Sequence, residues 1–263
     1  MDNILILSED GKTVIGVKRD YDYHIIIPNG TTTIGDDAFS GCRRLESIDI
    51  PNSVTTIGNS AFSGCWRLES IDIPNSVTTI GNAAFCGCEA IQSIDIPNSV
   101  TTIGDLAFRD CTSLQSIDIP NSVTNIGERV FYNCQSLQDI KIPNNVVTIK
   151  TKTFYGCDAL QSVDIPNSVT TIEEMAFCNC SSLQRINIPN SVTLIEEKVF
   201  SGCFSLKVIN IASNNNNYTF INGTLFNKGK TKIFTVLVSN NFKNYIIPNS
   251  VTEIEKSAFY GCI

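Results

Sequence analysis

Eight successive prolines are spaced 23 residues apart, and this spacing constrains the fold more than any other feature of the sequence. They are Pro28, Pro51, Pro74, Pro97, Pro120, Pro143, Pro166 and Pro189. The segments between them are nearly identical: residues 70–81 read SIDIPNSVTTIG, and close copies recur along the chain. A fixed period of roughly 20 to 50 residues is typical of a solenoid, whose units bury their apolar side chains only by stacking on one another.

The apolar residues of each unit follow one pattern. With the proline as position 0, they occupy positions 3, 6, 10, 11, 14, 17, 20 and 22. Alternation at positions 20–22 predicts a strand with one buried face, and the β-branched positions 3–6 predict a second short extended segment. The residues between them, such as 58–62, predict a turn that includes a single helical or 3-10 turn. Glycine at position 7 is replaced from Lys150 onward, which indicates a tight backbone contact or a change of curvature there.

Two positions are predicted to form columns in the core. Position 11 is phenylalanine and position 14 is cysteine in all eight units. An apolar position locked to the period fits a buried spine better than an exposed stacking platform, and buried free cysteine behaves as a small hydrophobe. Disulfides within the cysteine column are disfavoured because neighbouring Cβ vectors would point into the core in parallel. The columns are Phe39, Phe62, Phe85, Phe108, Phe131, Phe154, Phe177 and Phe200, and Cys42, Cys65, Cys88, Cys111, Cys134, Cys157, Cys180 and Cys203. Cys86 and Cys178, at position 12, are predicted to be more exposed.

The regular array of eight repeats covers residues 28–211, and irregular segments flank it within one solenoid domain. In residues 1–27 two apolar runs surround Asp10-Gly11, which predicts a capping β-hairpin. Residues 212–247 form a unit of 36 residues instead of 23, and Asn222-Gly223 predicts a protruding hairpin at about 218–238. Residues 248–263 form a partial terminal repeat.

Charge and composition exclude several functions. The net charge of −7 argues against nucleic acid as a partner, because phosphate recognition needs clustered Lys and Arg. No apolar run reaches the roughly 18 residues that span a bilayer, so membrane insertion is not expected. The first residues lack the basic start of a signal peptide, which keeps a cytoplasmic location open. His24 is the one histidine, and no recognised spacing places a serine or cysteine with it, so we expect neither an enzyme nor a cofactor.

These residues carry a family resemblance. The pattern Leu-x-x-Ile-x-Ile-Pro-x-x-Val-Thr-x-Ile-Gly-x-x-Ala-Phe-x-x-Cys resembles the BspA-like leucine-rich repeat over about residues 25–263. The resemblance implies an α/β leucine-rich-repeat solenoid that is right-handed and β-rich. It would have a parallel concave sheet, short helical or 3-10 turns and two β-hairpin elements.

The resemblance also implies a function. Many members of the family lie on cell surfaces, so the resemblance implies a non-enzymatic, adhesin-like protein, at the cell surface or secreted, that binds host, matrix or microbial proteins. Two alternatives stay open. One is an intracellular scaffold or effector, and the other is a carbohydrate-binding surface protein that uses Trp66 and the aromatics of the insertion.

In such a repeat the outward residues of the concave strand, here positions 19 and 21, form the usual binding face. The predicted partner-binding residues are Asp49, Asp72, Asp95, Asp118, Asp139, Lys141, Asp164, Arg185, Asn187 and Asn210. The first four aspartates would stand in a row about 4.8 Å apart. This row can be a solvated acidic face, a docking strip for a basic partner, or a Ca²⁺ site. The Ca²⁺ alternative is the weakest, because one carboxylate per strand does not form a cage of roughly 6 to 8 oxygens.

A second candidate surface lies just before the strand, at positions 15 and 16 of the first two units. It contains Arg43, Arg44, Trp66 and Arg67. Exposed tryptophan beside arginine is typical of protein-binding hot spots. The alternative is that these residues only pack against one another at the rim of the solenoid.

Overall fold

The computed structural model describes residues 4–18, 21, 23–237 and 244–262. Its strands, in chain order, are β1 (Leu5–Leu7), β2 (Thr13–Val17), β3 (His24–Ile26), β4 (Thr33–Ile34), β5 (Ser47–Asp49), β6 (Thr56–Ile57), β7 (Ser70–Ile71), β8 (Thr79–Ile80), β9 (Ser93–Asp95), β10 (Thr102–Ile103), β11 (Ser116–Asp118), β12 (Asn125–Ile126), β13 (Asp139–Ile140), β14 (Thr148–Ile149), β15 (Ser162–Asp164), β16 (Thr171–Ile172), β17 (Arg185–Ile188), β18 (Leu194–Ile195), β19 (Val208–Ile211), β20 (Tyr218–Ile221), β21 (Thr224–Asn227), β22 (Lys232–Val236) and β23 (Glu253–Ile254).

The chain forms a β-solenoid of about ten turns, as predicted. Each regular turn contributes one strand to each of two sides. The odd-strand side contains β3-β5-β7, β9-β11-β13 and β15-β17-β19, and the even-strand side contains β4-β6-β8-β10-β12 and β14-β16-β18. Strands of successive turns pair in parallel without any shift, so that Ser93 faces Ser116 and Ile94 faces Ile117. Each column of the sequence therefore becomes a column in space.

The phenylalanine column runs through the core between the two sides. Neighbouring rings lie 5.2 Å apart between Phe39 and Phe62 and 6.2 Å apart between Phe177 and Phe200, and every pair is stacked. All eight rings are buried. The stacked rings therefore form one continuous column along the solenoid.

The cysteines are free thiols throughout. From Cys65 onward, each column thiol donates a hydrogen bond to the carbonyl of the phenylalanine of the preceding turn, as Cys88 does to Phe62 at 3.2 Å. The prediction that Cys178 is more exposed is wrong: it is buried, whereas Cys86 is half-buried. Tyr155 occupies the same position one turn before Cys178, and burial raises the pKa of the Cys178 thiol.

The predicted helical or 3-10 turn is also wrong, because the described residues contain turns and no helix at this place. Positions 9 and 13 have positive φ in all eight units, with 51° at Ala83 and 61° at Leu106 for position 9. A right-handed helix cannot continue through left-handed residues. Backbone N–H groups in this segment bond to the next turn instead, as Phe85 does to the carbonyl of Ala107 at 2.8 Å.

The even-strand side is interrupted between β12 and β14, where glycine at position 7 gives way to Lys150. At the earlier units the backbones are in close contact: a Cβ on Gly104 would lie 2.6 Å from the amide nitrogen of Asn82. These glycines do not have positive φ, so tightness and not left-handed backbone explains them. The first side chain at this position therefore coincides with the break in the sheet.

The insertion does not protrude, contrary to the prediction. Strands β20, β21 and β22 form an antiparallel meander, and β22 then pairs in parallel with β23. Tyr218 and Leu225 are buried in the core of the solenoid, past the last regular turn. Ile233 is buried in a second, smaller cluster with Phe226, Val236 and Ala258. The predicted hairpin reaches residue 238, which lies outside the described residues.

The N-terminal segment has the same arrangement as β21–β23. Strands β1 and β2 are antiparallel with one register shift, and β2 pairs in parallel with β4, so that Thr13 faces Thr33. Strands β21 and β22 also pair with one register shift. In both elements, the second strand of an antiparallel hairpin thus pairs in parallel with a two-residue strand at positions 5 and 6 of a unit. In the part of the chain that the structure describes, no helix has the length and apolarity needed to cross a bilayer.

Candidate partner-binding surface

The outward columns of the odd-strand side form the largest candidate surface. Positions 20 and 22 point into the core, while positions 19 and 21 point out because successive side chains of a strand alternate. The structure leaves all ten predicted residues of this face exposed: Asp49, Asp72, Asp95, Asp118, Asp139, Lys141, Asp164, Arg185, Asn187 and Asn210. We call this set the strand strip.

The N-terminal half of the strand strip carries a column of negative charge. Asp95 and Asp118 are direct partners across neighbouring strands. The carboxylates of Asp72, Asp95 and Asp118 make no hydrogen bond or ion pair with any residue that the structure describes. Like charges that face each other on adjacent strands are destabilising. This half of the strip would therefore be stabilised by a cation or by a basic group from a partner.

The strip changes character at its centre. A shallow open groove there is lined by Asp95, Ser116, Asp118, Asp139 and Lys141. Lys141 takes the column position that aspartate holds in the four turns before it. The groove thus combines three carboxylates with one ammonium group, and it marks the end of the uniform acidic row.

In the C-terminal half the charge is replaced by an amide ladder. The Asn187 side-chain amide donates to Asp164 at 2.7 Å, and the Asn210 amide donates to Asn187 at 2.8 Å. These groups satisfy one another, so this half has little demand for an external partner. Within the described residues, no group of three or more His, Cys, Asp or Glu side chains is placed to hold a metal ion.

His24 lies at the N-terminal end of the strip, which the sequence analysis did not foresee. It occupies position 19 of a turn that precedes the first proline, and it pairs with Ser47 in β5. Its Nδ1 is 2.7 Å from the Ser47 hydroxyl, and its Nε2 is 3.4 Å from the Asp49 carboxylate. The side chains of His24 and Asp49 are 46% and 67% exposed, so water surrounds them on an open strand surface. The set lacks the desolvated pocket in which such groups act as catalysts.

The rim residues form a compact cluster beside the strip. The guanidinium carbon of Arg43 lies 4.2 Å from the centre of the Trp66 ring, and that of Arg44 lies 5.0 Å from the Tyr23 ring. Each such contact contributes about 0.5–1 kcal/mol at an exposed site. Arg67 is 3.7 Å from the carboxylate of Glu46. We call Tyr23, Arg43, Arg44, Trp66 and Arg67 the arginine rim; Tyr23 was missed because its unit has no leading proline.

Another row of large side chains lies at position 12, on the side without strands. Arg109 lies over Tyr132 at 5.3 Å, and Tyr132 stacks on Tyr155 at 4.7 Å. The Tyr155 hydroxyl accepts a hydrogen bond from Asn179, and Arg109 pairs with Asp110 at 2.9 Å. Because these groups are already partnered and half-buried, the row stiffens the solenoid and offers little for binding.

Comparison with known proteins decides the family. The sequence profile described as the BspA type leucine rich repeat region matches the chain in six copies, over residues 23–138, 101–232 and 230–263. The chain belongs to the BspA-type leucine-rich-repeat family. No curated protein sequence matches this BspA-type chain.

The BspA-type chain is similar to solved structures of bacterial leucine-rich repeat proteins. A leucine-rich repeat protein from Bacteroides ovatus matches 98% of this chain and 78% of its own, with 25% identity and a TM-score of 0.67. A leucine rich cell surface protein from Faecalibacterium prausnitzii matches 72% of this chain, with 34% identity and a TM-score of 0.52. The BspA-type chain spans 60% of the length of that protein. The leucine rich repeat protein of T. pallidum matches 77% of this chain and 87% of its own, with 26% identity and a TM-score of 0.53.

Proposed function

We propose that this solenoid is a protein-binding module of an adhesin-like cell-surface protein, and that a basic partner protein docks on its strand strip. BspA-type solenoids are typically non-enzymatic binding scaffolds. A similar bacterial protein is described as a leucine rich cell surface protein, which supports the same location for this chain. Host, matrix or microbial proteins are the partners we expect.

One observation carries the proposal: the carboxylates of Asp72, Asp95 and Asp118 form a column and have no partner among the residues that the structure describes. The buried columns stabilise the solenoid. The exposed residues at positions 19 and 21 do not pack in those columns. A repeated cross-strand repulsion has no benefit for the isolated fold. A partner that presents lysine or arginine along an extended segment would remove this repulsion, and complementary charge would speed its association.

The test removes the charge of the strip and compares a matched change elsewhere. The variant Asp72→Asn/Asp95→Asn/Asp118→Asn removes three negative charges from the strip. The control Glu89→Gln/Glu128→Gln/Glu197→Gln removes three from exposed side chains outside it. Immobilised wild type, strip variant and control are each incubated with extracts of host matrix and of bacterial surfaces. We expect the wild type and the control to retain the same proteins and the strip variant to lose them.

Equal retention by all three proteins would reject the strand strip as the docking surface. Retained proteins are then assayed purified, at low and high salt, because exposed charge pairs weaken as the ionic strength rises. A partner whose affinity does not depend on salt would contradict the charge-based account even if the strip variant bound less.

The carbohydrate alternative loses part of its support. It relied on Trp66 together with the aromatics of the insertion, but Tyr218 and Phe226 are buried. Buried rings cannot stack on a sugar. Phe220, Phe234 and Tyr245 of the insertion are half-buried, and Trp66 is exposed.

One observation favours the intracellular alternative: the eleven cysteines include no disulfide. Free thiols are usual in a reducing compartment. Labelling of the protein taken directly from its source would separate the two locations. Oxidised Cys86 or Cys262 would support the cell surface, whereas full labelling of both would support the intracellular scaffold.

A further inference from the structure

The arginine rim is a place where the repetition fails. Positions 15 and 16 carry Arg43, Arg44, Trp66 and Arg67 in the first two turns, whereas the next five turns carry neither arginine nor aromatic residues there. The chain as a whole is acidic, with a net charge of −7. Three arginines on two neighbouring turns are therefore a local exception in both composition and charge.

The guanidinium groups of Arg43 and Arg44 are held in place by stacking on aromatic rings. Each lies over one aromatic ring, Trp66 and Tyr23 respectively. Within the residues that the structure describes, neither side chain forms an ion pair or donates a hydrogen bond. Stacking uses the flat face of a guanidinium and leaves its N–H edges free, and those edges match the two oxygens of a carboxylate.

Two further donors lie beside them. Arg67 reaches Glu46 only at 3.7 Å, with both side chains largely exposed, so this contact can exchange for a better one. The Trp66 side chain is 46% exposed, and its indole N–H has no partner among the described residues. The rim thus offers three guanidinium groups and one indole N–H within two turns.

We infer that the arginine rim docks a carboxylate-rich segment of a partner protein. One face of each aromatic ring is already covered by a guanidinium, which disfavours a sugar that must stack on the rings. Tryptophan, tyrosine and arginine together are the residues that dominate protein–protein hot spots. The inference rests on the proposed function, because it assumes that the solenoid binds proteins. It adds a basic contact surface, the arginine rim, to the acidic strand strip. An acidic contact at the rim and a basic contact on the strip would fix the direction in which a partner lies along the solenoid.

Trp66 makes the rim directly observable, because it is the one tryptophan of the chain. The probe is an end-capped hexaglutamate peptide, titrated while the Trp66 emission is recorded. Hexaglutamine controls for the peptide backbone, and a sulfated disaccharide tests the glycan alternative. We expect hexaglutamate alone to shift the emission to saturation, with an affinity that falls as salt is added.

Variants assign the signal to the rim. Arg43→Gln/Arg44→Gln should weaken hexaglutamate binding at least about tenfold, since it removes two charge-assisted contacts. Arg129→Gln/Lys256→Gln removes the same charge elsewhere and should bind as the wild type does. Matching thermal unfolding curves would show that both variants are folded. Equal affinity of the two variants, or tighter binding of the sulfated disaccharide than of hexaglutamate, would overturn the inference.

The strip variant Asp72→Asn/Asp95→Asn/Asp118→Asn separates this inference from the proposed function. It should still bind hexaglutamate through the rim. If hexaglutamate fails to bind the wild type while partner capture depends on the strip, the rim inference is wrong and the proposed function stands. If hexaglutamate binds while partner capture does not depend on the strip, the strand strip is rejected as the docking surface and the rim inference is supported.

Discussion

The thiol of Cys111 donates a hydrogen bond of 3.1 Å to the backbone carbonyl of Phe85, one turn earlier in the solenoid. The same contact recurs from Cys65 to Cys203. It gives the buried thiol a partner and satisfies a carbonyl in the core, where an unpaired polar group is costly. Hydrogen bonds thus connect the cysteine column to the phenylalanine column along the solenoid. Their effect on the stability of the protein can be measured independently of any binding function.

Alkaline pH should destabilise the protein through these thiols. Burial raises the pKa of the Cys65 thiol to about 12, from an ordinary value of 9.0, and it raises the pKa of Cys88, Cys134 and Cys180 well above that ordinary value. Above pH 9 the unfolded chain releases these protons while the folded chain keeps them. Their contribution is therefore fully present below the unfolded pKa and is lost as the pH rises, by up to about 1.4 kcal/mol per thiol and pH unit. Urea unfolding at pH 7 to 11 measures this, and a free energy of unfolding that does not fall above pH 9 would contradict it.

Replacing Phe108 by alanine should lower the free energy of unfolding by about 3–5 kcal/mol. The ring is buried and stacked on Phe85 and Phe131, so its removal leaves a cavity in the middle of the column. Phe204→Ala is the control, because that ring is 50% exposed. Denaturant unfolding of both variants checks the difference. A loss under about 1 kcal/mol at Phe108 would remove the spine from the account.

Gly104→Ala should be destabilising although the backbone there is not left-handed. The new Cβ would lie 2.6 Å from the amide nitrogen of Asn82, so one turn must move away from the next. Overpacking of this kind costs about 1–3 kcal/mol. Gly16→Ala is the matched change, since its nearest neighbour would be the end of the Ile6 side chain at 3.6 Å. If thermal unfolding gives the same change in unfolding temperature for both variants, the turns are not in tight contact at Gly104.

Ala83→Gly should stabilise the protein. Ala83 has a φ of 51°, a left-handed conformation that costs a residue with a Cβ roughly 1–2 kcal/mol. Glycine removes this cost but loses more entropy on folding, so we expect a net gain of about 0.5–1 kcal/mol. Ala84→Gly, at a buried neighbour without positive φ, should instead be destabilising. Opposite signs for the two variants in urea unfolding would support the left-handed turn, and equal signs would contradict it.

The period made the parallel pairing predictable. Units of equal length stack without a shift, so the columns can be read by counting in steps of 23. The same counting locates His24 and Tyr23, which stand 23 residues before Ser47 and Glu46. Their unit has no leading proline, so it does not stand out as a repeat in the sequence. The surface at the N-terminal end of the solenoid is therefore predictable from the sequence if a unit is recognised by its apolar pattern and not by its proline.

The conformation of the turn between the strands was harder to predict from the sequence. Position 13 carries only Gly, Asp or Asn, the residues that tolerate left-handed backbone, and this was a usable signal. Position 9 gave none, because it includes Leu106, Met175 and Lys198. There the bonds to the next turn impose a conformation that the residues do not prefer. The burial of the insertion was hidden for a similar reason, since Asn222-Gly223 predicts a turn but not whether the strands beside it join the core.

The central claim is that partners contact the strand strip, and carboxyl footprinting tests it most directly. A captured partner is added at saturation, carboxylates are labelled with a carbodiimide and an amine, and the labelling of each residue is compared with that of the free protein. The account predicts that labelling of Asp72, Asp95 and Asp118 falls, while that of Glu89, Glu128 and Glu197 is unchanged. Unchanged labelling of the three aspartates, with protection elsewhere on the solenoid, would contradict it.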